Sequence, residues 1–91
     1  MKPQAYILLC IDGTLYIGST NNLEKRLHQH NNSKSGAHYT KIRRPVKLVW
    51  NEEQETLGKA RSREAGLKRL TRPEKLKLVK LFKKVSKNKI K

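Results

Sequence analysis

The chain has one cysteine, one tryptophan, one phenylalanine, seven acidic side chains, and no apolar stretch longer than the seven residues Ala5 to Ile11. Each shortage excludes something. A lone Cys10 rules out an internal disulfide and a thiolate metal cluster, agrees with a reducing compartment, and reads as a small buried hydrophobe. An apolar run that stops at Asp12 is too short to cross a bilayer and lacks the small-residue cleavage site of a signal peptide, so no membrane association is expected and the expected location is the cytoplasm. A chain this short buries only about 60–65% of its unfolded surface, enough for one small core and too little for a deep cavity between two lobes. Any large partner is therefore met on a surface, and a monomer is the expected state.

What is abundant is positive charge. Against the seven acids stand 22 Lys and Arg, for a net charge of +15, a field that draws polyanions, nucleic acid above all. The charge is uneven. From Arg72 to Lys91 there are nine Lys and Arg and one Glu. The end of the chain has little to bury and repels itself, so the expected division is a domain over residues 1–85 and a basic tail over 86–91 that frays after about Val85, either as a cationic arm or as a solubility tail.

Periodicity predicts an α/β (α+β) domain in the order ββαβαα, a small three-stranded, mainly antiparallel sheet flanked by three helices. Residues 4–11 and 14–19 read as strands joined at Asp12-Gly13. Asn21 or Asn22 can cap a first helix in which Leu23, Arg26, Leu27 and His30 share one stripe. A third strand near Val46 to Asn51 alternates Val46, Leu48 and Trp50 with Lys47 and Val49, and Trp50 reads as core. Thr56 caps a helix running to about Leu70. The "TRPE" at 71–74 is a capping box with proline in the first turn of the last helix, whose inner face is Leu78, Val79, Leu81, Phe82 and Val85.

Polar residues on these inward stripes are the chemical candidates. Glu64 shares a stripe with Leu57, Ala60 and Leu67, where an unpaired carboxylate costs several kcal/mol, roughly. Either an i, i+4 pair with Lys68 or a hard cation such as Mg²⁺ would meet it. Arg26 and His30 stand one turn apart. Either can snorkel or satisfy the core, or the two together can clamp and protonate one anion.

Hairpin register decides where the two tyrosines point. A two-residue turn pairs Tyr6 with Ser19 and puts Tyr6 and Tyr16 on opposite faces. A three-residue loop, with Gly13 in a left-handed position, pairs Tyr6 with Gly18 and Leu8 with Tyr16. The second register is preferred because it gathers Ala5, Ile7, Leu9, Leu15 and Ile17 on one apolar face and Tyr6, Tyr16 and Gly18 on the other. There Gly18, without a side chain, would admit a substrate backbone beside both phenols.

These residues together resemble the GIY-YIG nucleases over about residues 4–82. "LYIG" at 15–18 is the second half of the family name, and Gln4-Ala5-Tyr6 stands where Gly-Ile-Tyr is expected. "LEKRLHQH" carries the family's arginine and histidine at Arg26 and His30, and "ARSREAGLKRL" its metal-binding glutamate at Glu64. "GAHYTKIRRPVKLV" is similar to small stand-alone bacterial members and to structure-selective nucleases of junctions and flaps. Ser19 follows the glycine where some members carry a lysine.

The resemblance implies a metal-dependent endonuclease acting on nucleic acid, DNA in preference to RNA, and on branched or damaged structures. One Mg²⁺ or Mn²⁺ would sit on Glu64, Arg26 would stabilise the scissile phosphate, and Tyr16 would act as general base with Tyr6 positioning water or substituting for it. Tyrosine has a reference pKa near 10, so cationic surroundings are required. Expected substrate contacts are Gly18, His38, Tyr39, Lys41, Arg43, Arg44 and Lys68. Two other classes stay open: a non-catalytic or partner-targeted nucleic-acid-binding module on the same fold, and a basic RNA- or ribosome-associated protein, which explains the charge but not an inward Glu64.

Overall fold

The hairpin loop sets the architecture. In the computed structural model, which describes residues 2–32 and 38–89 and the side chains of 2–32 and 39–83, β1 (Gln4–Leu9) and β2 (Leu15–Thr20) pair antiparallel. Tyr6 lies opposite Gly18 and Leu8 opposite Tyr16, the three-residue-loop register. Cys10 N donates to Thr14 O (2.9 Å), Gly13 N donates to Cys10 O (2.9 Å), and Gly13 takes φ +86°, a left-handed conformation that glycine adopts without a Cβ clash. Asp12 Oδ1 fixes the turn by accepting from Thr14 N (3.1 Å) and Thr14 Oγ1 (2.6 Å).

β1 is central in the sheet order β2-β1-β3, with β3 (Lys47–Glu53) antiparallel to it and β2 at one edge. The register slips between Ile7, opposite Trp50, and Leu8, opposite Leu48, so Val49 is an extra residue in β3. That bulge corrects the simple alternation expected for this strand. Val46 and Leu48 stay on one face, while Val49 and Trp50 both pack on the other.

Both faces are covered. On one, Ala5, Ile7, Ile17, Val49 and Trp50 meet Leu67 of α3 (Leu57–Lys68) and Val79 of α4 (Arg72–Lys89). On the other, Tyr6, Leu8, Cys10 and Val46 lie under Leu23 and Leu27 of α1 (Leu23–Asn32). A one-turn helix, α2 (His38–Lys41), adds a fourth to the three expected. The caps fall where their residue types predict: Lys25 N donates to Asn22 Oδ1 (3.2 Å), Lys59 N to Thr56 Oγ1 (3.1 Å), and Thr71 N to Glu74 Oε1 (2.9 Å).

α4 runs to Lys89, and residues 83–89 hold neither glycine nor proline to stop it. Its inner face is narrower than expected. Leu81 is 51% exposed, because among the described side chains of α4 it is Leu78, Val79 and Phe82 that pack on the sheet. The side chain of Val85 and the basic tail side chains from Ser86 on lie outside the described ones. No described helix is long and apolar enough to cross a membrane.

Gly18 lies against the Tyr6 ring. A Cβ there would stand 2.5 Å from Tyr6 Oη and 2.6 Å from Tyr6 Cζ, so the missing side chain makes room for the Tyr6 ring. Gly18→Ala should therefore cost about 1–3 kcal/mol in urea unfolding, the usual penalty of overpacking. An unchanged midpoint would mean that the phenol is free to move aside.

Candidate active site

The two tyrosines, alike in sequence, are in unlike environments. Tyr6 comes from the central strand and is 1% exposed. Its phenol oxygen is 2.9 Å from His30 Nε2, and His30 Nδ1 is 2.7 Å from Thr40 Oγ1. His30 and Thr40 are both fully buried. α1 supplies the imidazole from its inward stripe, and the single turn of α2 supplies the threonine. In either neutral tautomer both ring nitrogens are used.

Burial pushes the His30 pKa down to about 4, helped by the positive charges of Arg26 and Arg44, so the ring is neutral at ordinary pH. Burial, then the neighbouring Tyr16, pushes the Tyr6 pKa up to about 12, while the Arg26 guanidinium beside it works the other way by hydrogen bonding and charge. His30, expected at the substrate, is fully buried between Tyr6 and Thr40, and burial works against loss of the Tyr6 proton.

Tyr16 is half-buried on edge strand β2. Its ring lies edge-on to His30 at 5.0 Å, 6.4 Å from Tyr6 and 6.0 Å from Tyr39 between centroids. It lines a cleft of about 230 Å³ together with Leu15, Ile17, Tyr39, Lys68 and Lys75. The cleft has an apolar floor along β2, an aromatic wall and an ammonium wall.

Lys68 connects this cleft to Glu64. The Glu64 carboxylate accepts from Ser19 Oγ at Oε1 (2.6 Å) and from Lys68 Nζ at Oε2 (2.6 Å), with side-chain exposures of 22% for Glu64 and 56% for Lys68. Burial acts to raise its pKa, but the hydrogen bonds from Lys68 and Ser19, with the charges of Lys68 and Arg61, bring it below the usual carboxylate range. The i, i+4 pair with Lys68 is thus present, and Ser19 supplies the partner across to the sheet. Among the described residues no three His, Cys, Asp or Glu side chains gather into a metal cluster.

The expected substrate contacts divide. Arg26 is half-buried, with Nη1 donating to Gln29 Oε1 (3.1 Å). Lys41 is exposed at the end of α2. Tyr39, 37% exposed, carries the Arg43 guanidinium over its ring at 3.9 Å, and Arg43 Nε pairs with Asp12 (2.9 Å). Arg44 turns inward. Its Nε donates to His30 O and its Nη2 to Gln29 O (3.0 Å), meeting carbonyls in the last turn of α1. His38 opens α2, and its side chain lies outside the described ones. Sequence reasoning missed Thr40, which no periodic pattern marks. It also missed Ser19 and Lys75 as members of the site.

A family model described as the GIY-YIG catalytic domain matches residues 2–77. The UPF0213 protein of Syntrophus aciditrophicus is 54% identical over 79 residues, covering 87% of this chain and 91% of its own. That of Clostridium perfringens is 55% identical over 74 residues, covering 81% and 78%. A solution NMR structure of a protein from E. faecalis matches with a TM-score of 0.60 at 43% identity, over 90% of this chain and 86% of that one. The UPF0213 protein from Bacillus halodurans, also solved by NMR, gives 0.56 at 37% identity over 89% and 85%.

The depressed His30 pKa fixes a pH dependence of stability. The unfolded imidazole takes up a proton near pH 6.5 and the folded one only near pH 4, so stability is level above 6.5 and falls as pH drops between those values. Asp12, Glu64 and Glu74 have pKa values lowered from 3.8 and 4.5, so the stability they contribute is present above those values and is lost only as pH falls through and below them. Urea midpoints should decline from pH 6.5 to 4.5 in the wild type and lie flatter in His30→Gln. Equal slopes in the two proteins would contradict a buried neutral histidine.

Proposed function

The chain belongs to the GIY-YIG family, and on that premise we propose that it is a metal-dependent endonuclease. It hydrolyses phosphodiester bonds of DNA in preference to RNA, at branched or damaged structures. The observation that carries this reading is the division of the tyrosines. Tyr6 is locked to His30 below the surface, while Tyr16 opens onto a cleft walled by Lys68 and Lys75, beside the one inward carboxylate, Glu64.

The site residues fit a single hard cation. Glu64 is ionised, half-buried and held at one oxygen by Ser19, while its other oxygen accepts from the surface-exposed Lys68, which a divalent ion can displace. Mg²⁺ or Mn²⁺ commonly takes one or two carboxylates and completes its shell with water and phosphate oxygens. When bound, such an ion offsets charge on the scissile phosphate and the leaving oxygen.

The remaining roles fall to this chain's own groups. Lys68 and Lys75 draw the phosphate into the cleft. Arg26 stabilises negative charge that grows on the phosphoryl oxygens. Tyr16 accepts the proton of the attacking water. Tyr6 positions, through the packing of its ring between Gly18 and His30, the strand segment that carries Tyr16.

A second reading has one observation in its favour. Both Glu64 oxygens already have partners, as they would in a basic module that binds nucleic acid without cutting it.

Glu64→Gln separates the two. It keeps the shape and a hydrogen bond to Ser19 but removes the anionic ligand, so cleavage of labelled branched DNA should fall about 10³-fold or more while binding stays near wild type. Metal-free melting should hardly move, since an exposed i, i+4 pair contributes only about 0.3–0.5 kcal/mol. Arg26→Ala should lower both cleavage and affinity, because its charge acts on the bound phosphate as well as on the transition state. Cleavage unaffected by Glu64→Gln would sink the one-metal mechanism.

A further inference from the structure

Ile11 and Ile42 are the most exposed large apolar side chains among the described residues, each 66% exposed. Neither belongs to a core cluster. Their two loops meet, because Ile11 N donates to O of Arg43, the residue after Ile42 (3.1 Å), which ties the hairpin tip to the segment after α2. The pair of loops is clamped. Asp12 pairs with Arg43 Nε (2.9 Å), and Arg72 Nη2 donates to Gly13 O (2.9 Å). Beside the tip lies an apolar recess of about 440 Å³ lined by Leu9, Cys10, Ile11, Pro45, Val46 and Lys47.

The surroundings select the occupant. Lys41, next to Ile42 in the chain, and Lys47, in the recess that Ile11 lines, are both exposed, and the chain carries +15 overall. An apolar surface with a cationic rim complements a surface that is apolar at its centre and anionic at its edge. A nucleobase face bordered by phosphates has that character, and duplex DNA exposes one only where its stack is interrupted. Branched aliphatic side chains are among those that enter such gaps. The tip is also near the cleft: the Arg43 guanidinium lies over Tyr39, whose ring is 6.0 Å from that of Tyr16.

We infer that the Ile11–Ile42 tip is a wedge that packs on nucleobase faces at a nick, flap or junction, with Lys41 and Lys47 on the flanking phosphates. This rests on the nucleic-acid reading of the adjacent cleft and adds the feature that selects interrupted duplex. Because the loops are held in place before binding, little ordering is needed when the patch is covered.

The test uses the full chain with chelator present, so that binding is read without cleavage. The probes are an intact duplex and a nicked duplex carrying 2-aminopurine next to the nick. Wild type should raise the 2-aminopurine fluorescence on binding and prefer the nicked duplex by about ten-fold, the scale of burying one exposed aliphatic side chain. The Ile11→Ser, Ile42→Ser double variant changes only exposed positions and should melt as wild type does. It should lose the fluorescence rise and the preference while keeping its affinity for intact duplex and its salt dependence. Three outcomes overturn the wedge: no preference in wild type, a preference kept by the variant, or equal losses on both duplexes. A variant that binds every DNA as wild type does would assign the patch to a protein partner instead. Mg²⁺-dependent cleavage is scored separately, so a wild type that unstacks the base but cuts nothing would retain the wedge and refute the endonuclease.

Discussion

The Tyr6 phenol, seated against Gly18 on one side and hydrogen-bonded to His30 on the other, ties this fold together. The three-residue hairpin loop is needed to bring Gly18 opposite Tyr6. A shift by one residue would place Ser19 there and turn Gly18 and Tyr16 toward the other face. α1 docks over this face with Leu23, Leu27 and His30, and α2 closes the far side of the imidazole with Thr40. The chain Tyr6, His30, Thr40 thus joins three elements that are distant in sequence, and every member is satisfied, as a buried polar network must be to stabilise.

The same burial gives two identical side chains different chemistry. Enzymes often divide roles between like groups by placing them in unlike environments. Burial pushes the Tyr6 pKa up to about 12 and keeps its phenol neutral. Tyr16, one strand over at the sheet edge, faces a cleft with two ammonium groups. Glu64 reaches the same strand through Ser19, so phenol, carboxylate and cations are gathered around the edge strand β2.

Much of this was legible wherever the determinant is local. Asp12-Gly13 with alternating neighbours gave the hairpin register, and Asn22, Thr56 and the Thr71–Glu74 box marked helix starts. Inward Glu64 and His30 were visible from the stripe alone. What stayed hidden depends on contacts between distant segments. The bulge at Val49 arises from pairing with β1 and moves Trp50 to the other face, against the local alternation. Thr40 has no periodic signal because it acts through a histidine ten residues away. Arg44 looks like a surface cation in sequence and is drawn inward by carbonyls at the end of α1.

Single-turnover cleavage of one labelled branched DNA by Tyr16→Phe and Tyr6→Phe, side by side in Mg²⁺, tests the division of the tyrosines most directly. Loss of a general base predicts a fall of about 10²–10⁴-fold for Tyr16→Phe, whereas Tyr6→Phe should lose stability first and keep measurable turnover. Near-wild-type cleavage by Tyr16→Phe with none by Tyr6→Phe would contradict the account, as would a wild-type chain that cuts no substrate at all.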